Sequence, residues 1–151
     1  MPRERLLPAA YRARIDANLQ AMAAETGLVM KPRERLINTR LALATAEFAR
    51  ENGAFDAVHD ALFKGHWEGS SNLDSVQDLT RIAAQSGLDP DQLEAALDEG
   101  RYEEVLDANR REATQVGINA IPAHIFGRRF LVVGAHPYEL FKQVVERVSN
   151  A

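Results

Sequence analysis

Four histidines, an acidic run, two short basic runs and one proline before an apolar strand are the residues that could carry chemistry in this chain. His59 and His66 stand seven apart on one expected helix, so they share a face about two turns apart. A metal site would want i,i+3 or i,i+4 spacing, or a carboxylate between, and no His-Glu-x-x-His occurs. Both are therefore read as helix-face histidines, and no metal is assigned. His124 falls in a short expected strand, where a partly buried imidazole with a local hydrogen bond is the plain expectation. His136 precedes Pro137 at an expected helix start, either as a corner residue or beside backbone N–H groups that can receive an anion.

The run "DPDQLEAALDEGRYEE" has the pattern of amphipathic surface helices rather than of a catalytic carboxylate pair. "PRER" and "KPRER" are short, lack interleaved aromatics and read as solvated. There is no phosphate loop, no Gly-x-Ser-x-Gly and no Ser/His/Asp arrangement to build on. No catalytic residue and no cofactor are assigned. The sequence holds no cysteine, so these residues form no disulfide and offer no thiol nucleophile.

What remains is "INAIPAHIFGRRFLVVGAHP", residues 118–137. Ile121-Pro122 stands before a short apolar strand, followed by a glycine turn, a second strand and a Gly-Ala-His-Pro corner. A proline before a strand is usually a trans boundary marker, so position alone does not make this bond cis.

The elements that must position these residues are mostly helical. Pro8 suits a first helical position, and Tyr11, Ile15, Leu19 and Met22 then share a face until Gly27. "INTRLALATAEFARENG" is a second helix, capped near Asn38 or Thr39, with Leu41, Thr45, Phe48 and Ala49 inward. "AFDAVHDALFKGHWEG" is a third, with Phe55, Val58, Leu62, Phe63 and His66 on one face.

Asp74 with Gln77 is a capping-box signature for a fourth helix, and Asp89-Pro90 with Gln92 for a fifth. A sixth follows, placing Tyr102, Val105, Leu106, Ala113 and Val116 inward. The period then changes. "AHIF" and "RFLVV" flank Gly127-Arg128, and glycine first in a two-residue loop points to a type II′ turn. Pro137 opens a last helix with Tyr138, Phe141, Val144, Val145 and Val148 expected inside. The repeated "PRERL" (2–6 and 32–36) has no matching continuation and is not an internal repeat.

The 151 residues fit one domain of ordinary globular composition, 46% hydrophobic and 26% charged. A net charge of −4 argues against nucleic acid as the main partner. No apolar run approaches the roughly 20 residues of a membrane span, and the N-terminus lacks a signal-peptide core. A cytoplasmic protein with no membrane partner is expected.

"GINAIPAHIFGRRFLVVGAHPYELFKQVVERV" resembles the C-terminal part of the DsbA-like thioredoxin family. The nearest branch looks like the FrnE-type oxidoreductases, close to 2-hydroxychromene-2-carboxylate isomerases and kappa-class glutathione transferases. Gly117, Ile121, Pro122, Phe126, Gly134, Ala135 and Pro137 carry the match. Val133 and His136 depart from the serine and glutamine that the family often has there. "INTRLAL", "ALFKGHWEG", "LTRIAAQSGLD" and "REATQVG" resemble the family's helical insertion in the same order, so the likeness covers about residues 10–149.

The resemblance implies an α+β, mostly helical and incomplete thioredoxin-like fold. Residues 8–117 would be the helical insertion and 118–151 a remnant ββα unit, together forming a single domain. The family's first strand, its Cys-x-x-Cys helix and second strand have no counterpart in these residues. Pro122 looks like the family's cis-proline, with Ile121 and Pro122 binding substrate and His136 at the neighbouring helix start.

Without a thiolate no thiol–disulfide exchange is available to these residues alone. Three functions follow from the resemblance. The first is a redox-silent relative of the protein thiol–disulfide oxidoreductases that keeps peptide binding at the cis-proline loop. The second is a dimerising or partner-binding helical protein without catalysis. The third is an isomerase or transferase relative that holds glutathione. Loss of a neighbouring strand would leave "AHIF" with an open edge, so a homodimer through residues 123–126, or by helix exchange, is expected.

Overall fold

A computed structural model describes residues 8–32 and 36–150, apart from the Arg12 side chain. The first "PRERL" run and residues 33–35 of the second lie outside them. The described elements run α1 (Ala9–Thr26), α2 (Arg40–Glu51), α3 (Phe55–Glu68), α4 (Val76–Gln85), α5 (Pro90–Asp98), α6 (Glu103–Gln115), β1 (Ala123–Phe126), β2 (Phe130–Val133) and α7 (Tyr138–Ser149). The architecture is α+β and mostly helical, closed by a two-stranded antiparallel hairpin and a helix. Two compact units divide the chain, Met1–Glu104 and Val105–Ala151, with the division inside the first turn of α6.

In the first unit, α2 packs on α3, α4 and α5, and α4 also packs on α3 and α5. Small residues on α2 allow the close approach: Ala42, Ala46 and Ala49 are buried against Val58, Leu62, Leu73, Leu79 and Ile82. Leu79, Leu93 and Val58 are fully buried, each stabilising the fold by roughly 1.5–3 kcal/mol through burial alone. Thr45 is also fully buried, and its hydroxyl donates to Leu41 O at 2.9 Å, so no polar group is stranded.

The caps follow local chemistry. Asp89 accepts from the N–H groups of Asp91 and Gln92, and Pro90 opens α5. At α4 the cap sits one residue later than the Asp74 expectation. Ser75, in extended conformation, accepts from Asp78 N–H at 3.4 Å. The Asp78 carboxylate accepts from Asn72 N–H at 2.6 Å and from Arg81 at 2.8 Å. The Arg81 hydrogen bond, then the Asn72 N–H, hold that carboxyl below its usual range.

One expected inward face in this unit, that of α1, stands largely in solvent, and one residue of the α3 face does too. Among described α1 side chains only Ala23 is buried, and Tyr11 and Met22 are exposed. Phe63, expected inside with Val58 and Leu62, is exposed as well. Near the unit's end, Tyr102 is buried and donates to Glu51 at 2.7 Å, while Arg101 sits 3.3 Å from the same carboxylate. Arg40 pairs with Glu103, joining the start of α2 to the start of α6.

In the second unit the hairpin register pairs Ala123 with Val133, His124 with Val132, Ile125 with Leu131 and Phe126 with Phe130. The loop is therefore residues 127–129, one longer than expected. Gly127 (φ 56°) and Arg128 (φ 58°) are both left-handed, and Arg129 N–H donates to Phe126 O at 3.1 Å. Positive φ at both central positions is the signature of a type I′ turn, not the expected II′ turn.

α7 covers one face of the hairpin. Its Phe141 ring lies 4.9 Å from His124 and 6.0 Å from Phe126, and Arg147 lies over the Phe130 ring. No residue of α6 or α7 is fully buried. Val105, Val116, Tyr138 and Val145 are exposed, against the inward faces the periodicity predicts.

Candidate functional site

The loop before β1 is built by the ladder that follows it. Gly134 N–H donates to Pro122 O at 2.7 Å, extending the register by one pair beyond Ala123–Val133. Antiparallel ladders alternate bonded and non-bonded pairs. A bond at Pro122–Gly134 therefore makes His124–Val132 and Phe126–Phe130 the bonded pairs. The backbone groups of Ala123 and Ile125 point away from β2. Proline's missing N–H falls on the side facing β2, so it removes no donor from the outer edge.

The Ile121–Pro122 peptide bond is cis. Ile121 is 89% exposed and Ile125 50% exposed. Among the described residues β1 pairs only with β2. Among the described residues no strand pairs with the outer edge of β1, and apolar side chains flank it.

His136 stands close by. Its Nε2 lies 3.0 Å from Val133 O, so Nε2–H donates and the carbonyl accepts. Val133 belongs to a non-bonded pair, so its carbonyl faces the outer edge of β2, and His136 occupies it. The two edges of the hairpin therefore differ among the described residues: an imidazole blunts that of β2, and no strand pairs with that of β1. A Cβ added at Gly134 would lie 3.7 Å from His136 Nε2, so Pro122 and His136 meet through the Val133–Gly134 backbone. His136 is exposed and lies 6.5 Å from the Phe141 ring centroid.

His124 is exposed rather than partly buried, and its recorded contacts are aromatic: Phe126 at 6.3 Å and Phe141 at 4.9 Å. His59 and His66 belong to the other unit. The His59 ring sits between Phe55 and Phe63 at 5.2 and 4.7 Å, and the His66 ring meets Trp67 edge-on at 4.8 Å. No group of three metal-ligating side chains converges among the described residues.

Sequence periodicity gave no hint of a cavity of about 230 Å³ in the first unit, walled by Leu19, Met30, Ile37 and Trp67, with Asp16 and Lys31 among its polar residues. Its walls come from α1, the connector after it and α3, which only the folded chain brings together. Nor did residue types reveal that Arg128 occupies a left-handed position that glycine or asparagine would adopt more easily.

Residues 2–146 match the DSBA-like thioredoxin domain, and the chain belongs to that family. Its fold is similar to the crystal structure of a probable DsbA oxidoreductase from Streptomyces coelicolor, with a TM-score of 0.85 and 28% identity. That similarity covers 99% of this chain and 68% of the other. No curated protein gives a significant match. Within a family of oxidoreductases, these 151 residues are cysteine-free. No described helix is long and apolar enough to cross a membrane.

Proposed function

We propose that this DsbA-like chain binds an extended polypeptide segment by backbone pairing at Ile121 and the outer edge of β1, without redox chemistry from its own residues. The observation that carries this is the Gly134–Pro122 hydrogen bond, which turns the backbone groups of Ala123 and Ile125 outward. The apolar, half-exposed Ile125 and fully open Ile121 supply the flanking contacts. On this reading the chain is of FrnE type, Pro122 is the family's cis-proline, and residues 8–117 are the helical insertion ahead of a ββα remnant at 118–151. A cytoplasmic location belongs to the same proposal.

Titration of 15N-labelled protein with an extended, uncharged peptide tests it. Amide shifts confined to about residues 121–126 support the binding edge, and an unchanged spectrum at millimolar peptide contradicts it. The same edge would serve a second copy of the chain, and light scattering at micromolar concentration separates the two occupants. Glutathione is a third ligand class, which Pro122 and His136, on either side of the Val133–Gly134 backbone, would hold. Shifts at both Ile121 and His136 on adding glutathione would support it.

A further inference from the structure

One peptide group, the C=O of Val133 with the N–H of Gly134, carries a hydrogen bond on each side. Its N–H donates to Pro122 O at 2.7 Å, the short end of the N–H···O range. Its C=O accepts from His136 Nε2–H at 3.0 Å. A trans peptide sends these two groups in opposite directions, so the imidazole and the proline carbonyl stand on opposite sides of it. A donor on an amide carbonyl polarises the whole group and makes its N–H a stronger donor. The bond from His136 therefore strengthens the bond at Pro122.

The chain around His136 keeps the imidazole in place. Gly134 takes φ 98°, which side chains rarely adopt, and turns the chain out of the ladder just after Val133. His136, three residues beyond Val133, then returns to its carbonyl. Pro137 follows directly at φ −57°, and a proline keeps the residue before it in extended conformations. Two backbone restrictions thus bracket this one side chain.

From this geometry we infer that His136 is a positioning residue for Pro122, acting through the Val133–Gly134 peptide group on the bond that holds the loop before β1. This role goes beyond the binding function proposed above, because it stands on bonds inside the ββα unit and is read in the free protein. A side chain that only shaped the entry to α7 would leave Pro122 unaffected.

Protein labelled with 15N and 13C tests this role. Scalar coupling between Gly134 N and Pro122 C′ reports the hydrogen bond itself, and exchange of the Gly134 amide reports how often it opens. Ring 15N shifts of the wild type should place the His136 proton on Nε2. His136→Ala should lower the coupling and raise Gly134 exchange about five-fold, while the His124 and Phe126 amides change by less than about two-fold. His136→Gln, whose side-chain N–H can donate to the same carbonyl, should return Gly134 exchange to within about two-fold of the wild type.

Unchanged coupling and exchange at Gly134 in His136→Ala overturn the inference, as does a neutral imidazole with its proton on Nδ1. Equal rises at Gly134, His124 and Phe126 overturn it too, because His136 would then hold the whole hairpin rather than this bond. A glutamine variant as altered as the alanine variant also overturns it, because the donated hydrogen bond would not be the cause. None of these readouts needs a bound peptide, so this role and the binding function fail separately.

Discussion

Gly134 N–H lies 2.7 Å from Pro122 O, and this one bond sets which side of β1 each backbone group faces. Amide exchange should read that alternation directly. His124 and Phe126 donate toward β2 and should exchange slowly, while Ala123 and Ile125 should exchange at least about ten-fold faster. Exchange measured residue by residue checks the alternation. Protected Ala123 and Ile125 amides in the free protein would mean that another strand already occupies the edge.

The turn contains two left-handed residues with opposite responses to substitution. Arg128→Asn should raise stability by about 0.5–1 kcal/mol, because asparagine enters the left-handed region more easily. Gly127→Ala should lower it by about 2–4 kcal/mol. Alanine is strained at φ 56°, and its Cβ would stand 2.5 Å from Val148 Cγ1 on α7. Urea midpoints of the two variants should therefore move in opposite directions.

Tyr102 links alkaline pH to stability. Burial first, and then the hydrogen bond to Glu51, push its phenol up to about 12 from an ordinary value near 10. The folded state holds the proton more tightly than the unfolded state does. The stabilisation is therefore whole below about pH 10 and is lost as pH rises toward 12. Tyr102→Phe should cost about 1 kcal/mol at neutral pH and remove this part of the alkaline loss. Thermal melts from pH 8 to 11 of both proteins check the sign.

Asp78 works in the opposite direction. Its carboxyl is held low by Arg81 and by Asn72 N–H, so its stabilisation is present above about pH 4 and fades as pH falls through the folded value. Asp78→Asn should lower stability by about 1 kcal/mol at pH 7 and by little at pH 3. Ser75→Ala should cost about 0.5–1 kcal/mol, because the cap bond to Asp78 N–H is long.

Much of this fold was legible because its punctuation is chemical. Gly27, Gly69 and Gly117 stop helices, Asp89-Pro90 starts one, and Gly127 turns the hairpin. Pro122 and His136 were picked out in the sequence and lie on either side of the Val133–Gly134 backbone. Burial was read less well. Periodicity tells which residues share a face, but not whether another element covers that face. Met22, Phe63, Val116 and Tyr138 have helical spacing and stand exposed.

The cap at α4 slipped by one residue because Asp74 and Ser75 both fit a capping pattern, and only the extended backbone of Ser75 decides between them. The turn type escaped for a related reason. A leading glycine suits both mirror-image turns, and arginine at the second position argues against the left-handed conformation it adopts.

The central claim is that the outer edge of β1 binds an extended chain. Titrating labelled protein with an extended, uncharged peptide that alternates valine and serine tests it most directly. Saturable shifts at Ile121, Ala123 and Ile125, together with new exchange protection of those amides, are the predicted result. Saturable binding that leaves those three amides untouched, or no binding at millimolar peptide, would contradict it.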